Sequence, residues 1–168
     1  LDLVVGRLGL SWARSPEAGQ LEQTKLFDEP RCIVCRTGHR LAGKAAPPLS
    51  RLAQESWVLQ PVPSSTRHTF DEMFLLRGLP PPLPRIESAS AHSCLDIVAR
   101  TDLLSVCPRA LARRPIEQGR LQDLGTPREL GAMAISVIGR RSGSRDPLIG
   151  AFRDGLVAVA RELTAARG

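Results

Sequence analysis

The 168-residue chain has no tyrosine and only 4% aromatic residues, which argues against a stacking platform for single-stranded nucleic acid. No apolar run approaches the roughly 20 residues that a membrane-spanning helix needs. Cysteine is sparse: Cys32, Cys35, Cys94 and Cys107 are the only four, too low a density for a disulfide-stapled secreted scaffold. Each sits in an apolar stretch, where cysteine behaves as a small hydrophobe, so a reducing cytoplasm is the expected compartment. Lysine is nearly missing. Lys25 and Lys44 are the only two, and the net charge of +6 rests on scattered arginines. That pattern reads more simply as a coding bias than as a nucleic-acid footprint. The clusters Arg113-Arg114 and Arg140-Arg141 with Arg145 are too short for a DNA-binding tail.

Reaction chemistry is equally thin. Serine, histidine and aspartate are present, but no G-x-S-x-G elbow surrounds a serine, and three histidines form no acid–base cluster. Cys32-Ile33-Val34-Cys35 spells C-x-x-C, yet residues three apart on a strand face opposite sides, whereas a redox or zinc pair needs a turn or helix start. The expectation is a protein that is not an enzyme and has neither metal nor cofactor.

What is there is an ordinary globular composition, 42% hydrophobic and 24% charged, arranged as strands alternating with helices. Leu1–Arg7 reads as a buried parallel strand. Residues 24–36 read as extended chain broken at Pro30, and Trp57–Gln60 as a short strand. Pro61-Val62-Pro63 makes a stiff connection into a helix over about Thr66–Arg77 that Gly78 ends. The Pro80–Pro84 run is a rigid loop leading to a strand at Arg85–Ser88. Ser88 or Ser90 then caps a helix whose Ala91, Cys94, Leu95 and Val98 share one face. Leu103–Cys107 is a strand, followed by a short helix from Pro108 that Pro115 stops. Met133–Gly139 is an apolar strand. Asp146-Pro147 starts a final helix with an apolar stripe through Ile149, Phe152, Leu156, Val159, Ala160 and Leu163. The alternation predicts an α/β class with mainly parallel sheets.

Several of these pieces, in this order, resemble successive landmarks of LysR-type transcriptional regulators. They are Leu1-Asp2-Leu3-Val4-Val5-Gly6-Arg7-Leu8, Phe27-Asp28-Glu29-Pro30 and Gly38-His39-Arg40-Leu41-Ala42. Leu52-Ala53 with Trp57-Val58-Leu59, Gly78-Leu79-Pro80, Arg85-Ile86-Glu87-Ser88 and Leu104-Ser105-Val106-Cys107-Pro108 follow. Within that family the chain is most similar to regulators of sugar-binding-protein operons and of aromatic catabolism. The resemblance implies the effector-binding (substrate-binding) domain, a two-lobed periplasmic-binding-protein-like fold of type 2 joined by two hinge crossings. The first lobe is expected at 1–60 plus 136–168 and the second at 61–135. It also implies that the chain begins inside the first lobe, without the helix-turn-helix and linker helix that would contact promoter DNA.

Candidate ligand contacts follow. Ser64, Ser65 and Thr66 open a helix, where hydroxyls and backbone N–H groups can meet a carboxylate or sugar hydroxyl, or simply cap it. Ser88, Ala89 and Ser90 form a second small, hydroxyl-rich helix start at the end of a strand, where open α/β folds place ligands. Arg7 could supply a charge for an anionic effector, His92 could join the second helix start, and Val106 matches the family's strand end at the cavity floor. The expected partners are a small effector (a sugar, sugar acid or aromatic carboxylate), promoter DNA through the absent N-terminal part, and further copies of the same chain, with no membrane. A periplasmic solute-binding protein of the same fold is the alternative.

Overall fold

The computed structural model describes residues 2–6, 16–43, 46–125, 127–142 and 146–165. In chain order the elements are β1 (Leu3–Gly6), a 3-10 turn (Pro16–Gln20), β2 (Leu21–Arg36), α1 (Leu49–Leu52), β3 (Val58–Leu59), α2 (Ser65–Leu75), β4 (Ile86–Glu87), α3 (Ala91–Val98), β5 (Ser105–Pro108), α4 (Arg109–Glu117), β6 (Leu121–Asp123), a 3-10 turn (Arg128–Leu130), β7 (Ala132–Arg140) and α5 (Pro147–Ala165). They pack as two compact units, one of residues 1–29 with 133–168 and the other of 30–132. The chain passes between them within β2 and at the start of β7.

In the first unit β1 pairs antiparallel with β7, Leu3 opposite Gly139 and Gly6 opposite Ser136, and β7 lies beside β2. Gly139 has no side chain because a Cβ there would come within 2.8 Å of a Leu3 methyl. Gln23 donates to the Ser136 hydroxyl at 2.8 Å, and Arg153 of α5 pairs with Glu22 at 3.0 Å. Asp146 caps α5 by accepting the Leu148 N–H at 2.8 Å. One expectation needs correction here. β1 is neither parallel nor buried, since Val4 and Val5 are 44% and 52% exposed; an apolar β-branched run carries no information about the direction of its neighbour. The apolar stripe of α5 is also mostly uncovered, with Phe152, Val159 and Leu163 exposed and only Ala160 buried.

The second unit is built on the latter half of β2. One edge pairs antiparallel with β5, Cys32 opposite Cys107, and the other antiparallel with β6, Cys35 opposite Gln122. Pro30 does not break this strand; a missing N–H removes one ladder bond and no more. Successive side chains of a strand point to opposite faces, and both faces here are covered. Ile33 and Cys35 enter one core with Trp57, Phe70 and Phe74, whereas Cys32 and Val34 enter another with Cys94, Leu95 and Val98. Trp57 is fully buried, packs edge-on to Phe70 with ring centroids 4.6 Å apart, and donates its indole N–H to the Leu52 carbonyl at 3.1 Å. Gly78, at φ 68°, ends α2 as expected. Its N–H bonds the Leu75 carbonyl and that of Leu79 reaches Phe74, both at 3.0 Å, closing a Schellman motif.

Parallel pairing is seen between β3 and β4 and at the Trp57–Leu104 bridge, whereas β1–β7, β2–β5 and β2–β6 are antiparallel. Strands joined by a helix do run parallel, as β5 and β6 do across α4, but those two flank β2 instead of touching, so each makes an antiparallel ladder. Similarly, α4 runs through Pro115 to Glu117. The lobe boundaries expected at Gln60 and Ser136 also differ from the packing units. Leu41, Leu52 and Leu59 share a core with Phe70 and Phe74, which joins 30–60 to 61–132.

Replacing Phe70 by alanine, which empties the centre of the first core, should cost about 3–5 kcal/mol of stability. Val4→Ala at an exposed position should stay within about 0.5 kcal/mol. Urea unfolding of the two variants measures both, and equal effects would contradict this assignment of the core.

Candidate ligand-binding site

β3 and β4 run side by side, Val58 opposite Ile86 and Leu59 opposite Glu87, so the chain leaves their adjacent carboxyl ends toward the N-termini of α2 and α3. Such an edge is where open α/β sheets receive ligands. One residue ties the two helix starts together. Gln60 accepts a hydrogen bond from the Ser64 hydroxyl at 3.0 Å through its carbonyl oxygen, and its amide donates to the Ala89 carbonyl at 3.2 Å. Ser64 also caps α2, accepting the Arg67 N–H. At the second start the Ser88 hydroxyl accepts the Ser90 N–H at 3.3 Å, and the Ser90 hydroxyl caps α3 by accepting the Ser93 N–H at 3.2 Å. Both hydroxyl groups therefore satisfy backbone donors that each helix leaves orphaned.

Arg67 stiffens the same region from below. It is 9% exposed and its guanidinium bonds both oxygens of Asp71 (3.1 and 3.0 Å), Glu87 at 2.7 Å and the Gln60 backbone carbonyl at 3.4 Å. Burial works against its charge, yet the hydrogen bonds it donates to Glu87 and Asp71 hold its pKa above the ordinary arginine value. A buried arginine with this many acceptors is an orienting brace between α2 and β4.

Of the residues singled out in the sequence, Ser64 and Ala89 are joined through Gln60, with Ser65 and Thr66 following Ser64 on α2 and Ser88 and Ser90 flanking Ala89. Thr66 is buried, and Ala89 and Ser90 are exposed. Val106 is not with them. It sits in mid-β5 opposite Ile33, within the apolar core. His92 is exposed on the first turn of α3. Arg7 lies outside the described residues. Gln60 and Arg67 were not foreseen. The signals for them were faint, a polar residue directly after an apolar strand and an i, i+4 Arg–Asp spacing.

A second polar cluster surrounds Glu55, whose side chain is 2% exposed, paired with Arg40 and lying 3.3 Å from Arg51. Beside it, buried His39 accepts the Leu41 N–H on Nδ1 at 3.2 Å, which puts its proton on Nε2. Burial holds this imidazole below its usual pKa, against the pull of Asp102 and Glu55. An open concavity of about 440 Å³ lined by Arg40, Glu55, Arg85 and Asp102 lies here, and another of about 380 Å³ lies between Pro47, Arg77 and Pro127. Neither includes the two helix starts. Cys32 and Cys35 face different cores, and burial pushes the Cys35 thiol up to about 11. Among the described residues no group of three or more His, Cys, Asp or Glu is placed to hold a metal ion, and no helix is long and apolar enough to cross a membrane.

The sequence profile of the LysR substrate binding domain matches residues 1–161. The chain belongs to that family. The HTH-type transcriptional regulator GbpR of Azospirillum brasilense is 35% identical over 114 residues, covering 67% of this chain and 32% of GbpR, so the match spans about a third of that relative. Among solved structures, the regulatory domain of Synechocystis CcmR in complex with 2-PG superposes with a TM-score of 0.80 at 21% identity, over 95% of this chain and 73% of that one. The effector binding domain of QuiR in complex with shikimate gives 0.77 at 15% identity, over 96% and 73%. The LysR substrate-binding chain thus has the two-lobed periplasmic-binding-protein-like α/β fold of these domains.

Two outcomes follow from this geometry. Ser64→Ala should cost about 1 kcal/mol through the lost cap, and a double-mutant cycle with Gln60→Ala should show coupling of about 0.5 kcal/mol or more; purely additive losses would mean that the link is not made in solution. For His39, a depressed folded pKa means that the unfolded chain takes up its proton first. Its contribution is present above about pH 6.5 and is lost as pH falls through the folded value. The stability difference between the native chain and His39→Gln should therefore change across that window, and a pH-independent difference would exclude the assignment.

Proposed function

We propose that this LysR substrate-binding chain is the effector-sensing part of a bacterial LysR-type transcriptional regulator. A small metabolite, a sugar acid or an aromatic carboxylate, binds at the paired starts of α2 and α3. The observation that carries this reading is the Ser64–Gln60–Ala89 link, which brings two helix N-termini to one edge of a parallel strand pair. Their dipoles favour an anionic group, and the serine hydroxyls offer donors and acceptors for a polar ligand. Ser64, Ser65, Thr66, Ser88, Ala89 and Ser90 are the proposed contacts on this unit, with Arg7 and Val106 as further candidates. The complexes of CcmR with 2-PG and of QuiR with shikimate support a small-molecule effector. GbpR's designation as an HTH-type transcriptional regulator supports a DNA-binding part elsewhere in the longer protein.

In this reading the ligand-binding lobes correspond to the compact units, residues 1–29 with 133–168 and residues 30–132. Effector binding shifts the population toward the arrangement that binds it more tightly. Contacts between copies of the chain carry that shift to the DNA-binding parts, and the protein works in the cytoplasm without catalysing a reaction.

The test is calorimetric titration of the intact protein with a panel of sugar acids and aromatic carboxylates. One class should bind, and Ser64→Ala combined with Gln60→Ala should weaken it about tenfold, equivalent to about 1.4 kcal/mol. Binding that ignores both substitutions would move the site elsewhere, and no binding by any member of the panel would remove this effector class.

A further inference from the structure

We propose that Cys32 and Cys107 form a peroxide-reactive site, closing to a disulfide that fastens β2 to β5. The two are direct register partners on antiparallel strands, and their Sγ atoms lie 3.9 Å apart. The Leu124 N–H bonds the Ile33 carbonyl, so odd-numbered positions of β2 turn their backbone groups toward β6 and even-numbered ones toward β5. Cys32 and Cys107 are therefore a hydrogen-bonded pair, for which the Cα separation is about 5.5 Å. A disulfide accepts about 4.4–6.8 Å, so closure needs rotation of the two side chains and no register shift.

The pairing is selective. Cys94 shares the same core but turns its thiol to the Ser88 carbonyl at 3.7 Å, and Cys35 lies in the opposite core. Both members of the pair are buried, Cys32 at 0% and Cys107 at 2% exposure. The neighbouring Cys32 thiol and burial raise the Cys107 pKa, which keeps that thiol protonated near neutral pH. Reaction therefore proceeds from a locally opened β5 and is slow in the closed protein.

The chemistry balances with hydrogen peroxide as the oxidant. One thiol gives up its proton, and its thiolate attacks a peroxide oxygen. The O–O bond breaks, leaving a sulfenic acid, and the departing hydroxide takes the proton to become water. The second sulfur attacks the sulfenic sulfur, the S–O bond breaks, and the leaving hydroxide takes the second thiol's proton. Two thiols and one peroxide give one disulfide and two waters.

The protein, with its four free cysteines, is treated with hydrogen peroxide, then unfolded and labelled with a maleimide. The expected result is a mass loss of about 2 Da before labelling, two thiols left to label, and a proteolytic fragment joining the Cys32 and Cys107 peptides. Cys94→Ser should leave that fragment in place, and dithiothreitol should remove it together with a rise in the urea midpoint that it causes. Four labelled thiols in the folded protein under conditions that oxidise the urea-unfolded protein would overturn the proposal. So would a Cys94–Cys107 linkage, or sulfinic acid at one cysteine without a crosslink.

Discussion

Everything in the 30–132 unit leans on the fact that one stretch of β2 is enclosed on both faces and along both edges. Four consecutive side chains, Cys32 to Cys35, alternate between two cores, while their backbone groups alternate between β5 and β6. A strand so enclosed tolerates no slip, because a shift by one residue would exchange the contents of the two cores. It also explains the residue types. Cysteine, isoleucine and valine fill these positions, all small or branched apolar groups, and any polar side chain would be stranded without a partner.

The polar side of the unit obeys the opposite rule, that buried charge is accepted where it is paired with opposite charge. Arg67 is answered by two carboxylates and a carbonyl, and Glu55 by two arginines. These groups contribute orientation more than stability, since desolvation offsets much of the attraction. Arg67 holds α2 against β4 and touches the Gln60 carbonyl, so the helix starts rest on a braced platform and not on a free loop.

Much of this was legible in the sequence. The hydroxyl-rich helix starts at Ser64–Thr66 and Ser88–Ser90, the helix-ending Gly78 and the Asp146-Pro147 start announce themselves because their signals are local, a side chain meeting its own neighbouring backbone. The opposite faces of Cys32 and Cys35 follow from strand period alone. What failed was non-local. The direction in which β1 pairs and the way β5 and β6 flank β2 depend on which segments meet, and residue type is silent about that. Gln60 stayed hidden for the same reason, since its two partners lie in different parts of the chain. Val106, suggested by family likeness, has its side chain in the apolar core, a placement that strand pattern alone does not distinguish from a strand end at a cavity.

Trp57 has an optical consequence. With no tyrosine in the chain, near-ultraviolet absorption belongs almost wholly to its tryptophans. This one is sealed from water, edge-on to Phe70 and hydrogen-bonded to a carbonyl. An indole in so asymmetric and dry a setting emits at short wavelength and carries a strong near-ultraviolet dichroism that vanishes when fixed packing is lost. Because it stands three residues before Gln60 on the same segment, the protein carries a built-in chromophore beside its helix starts.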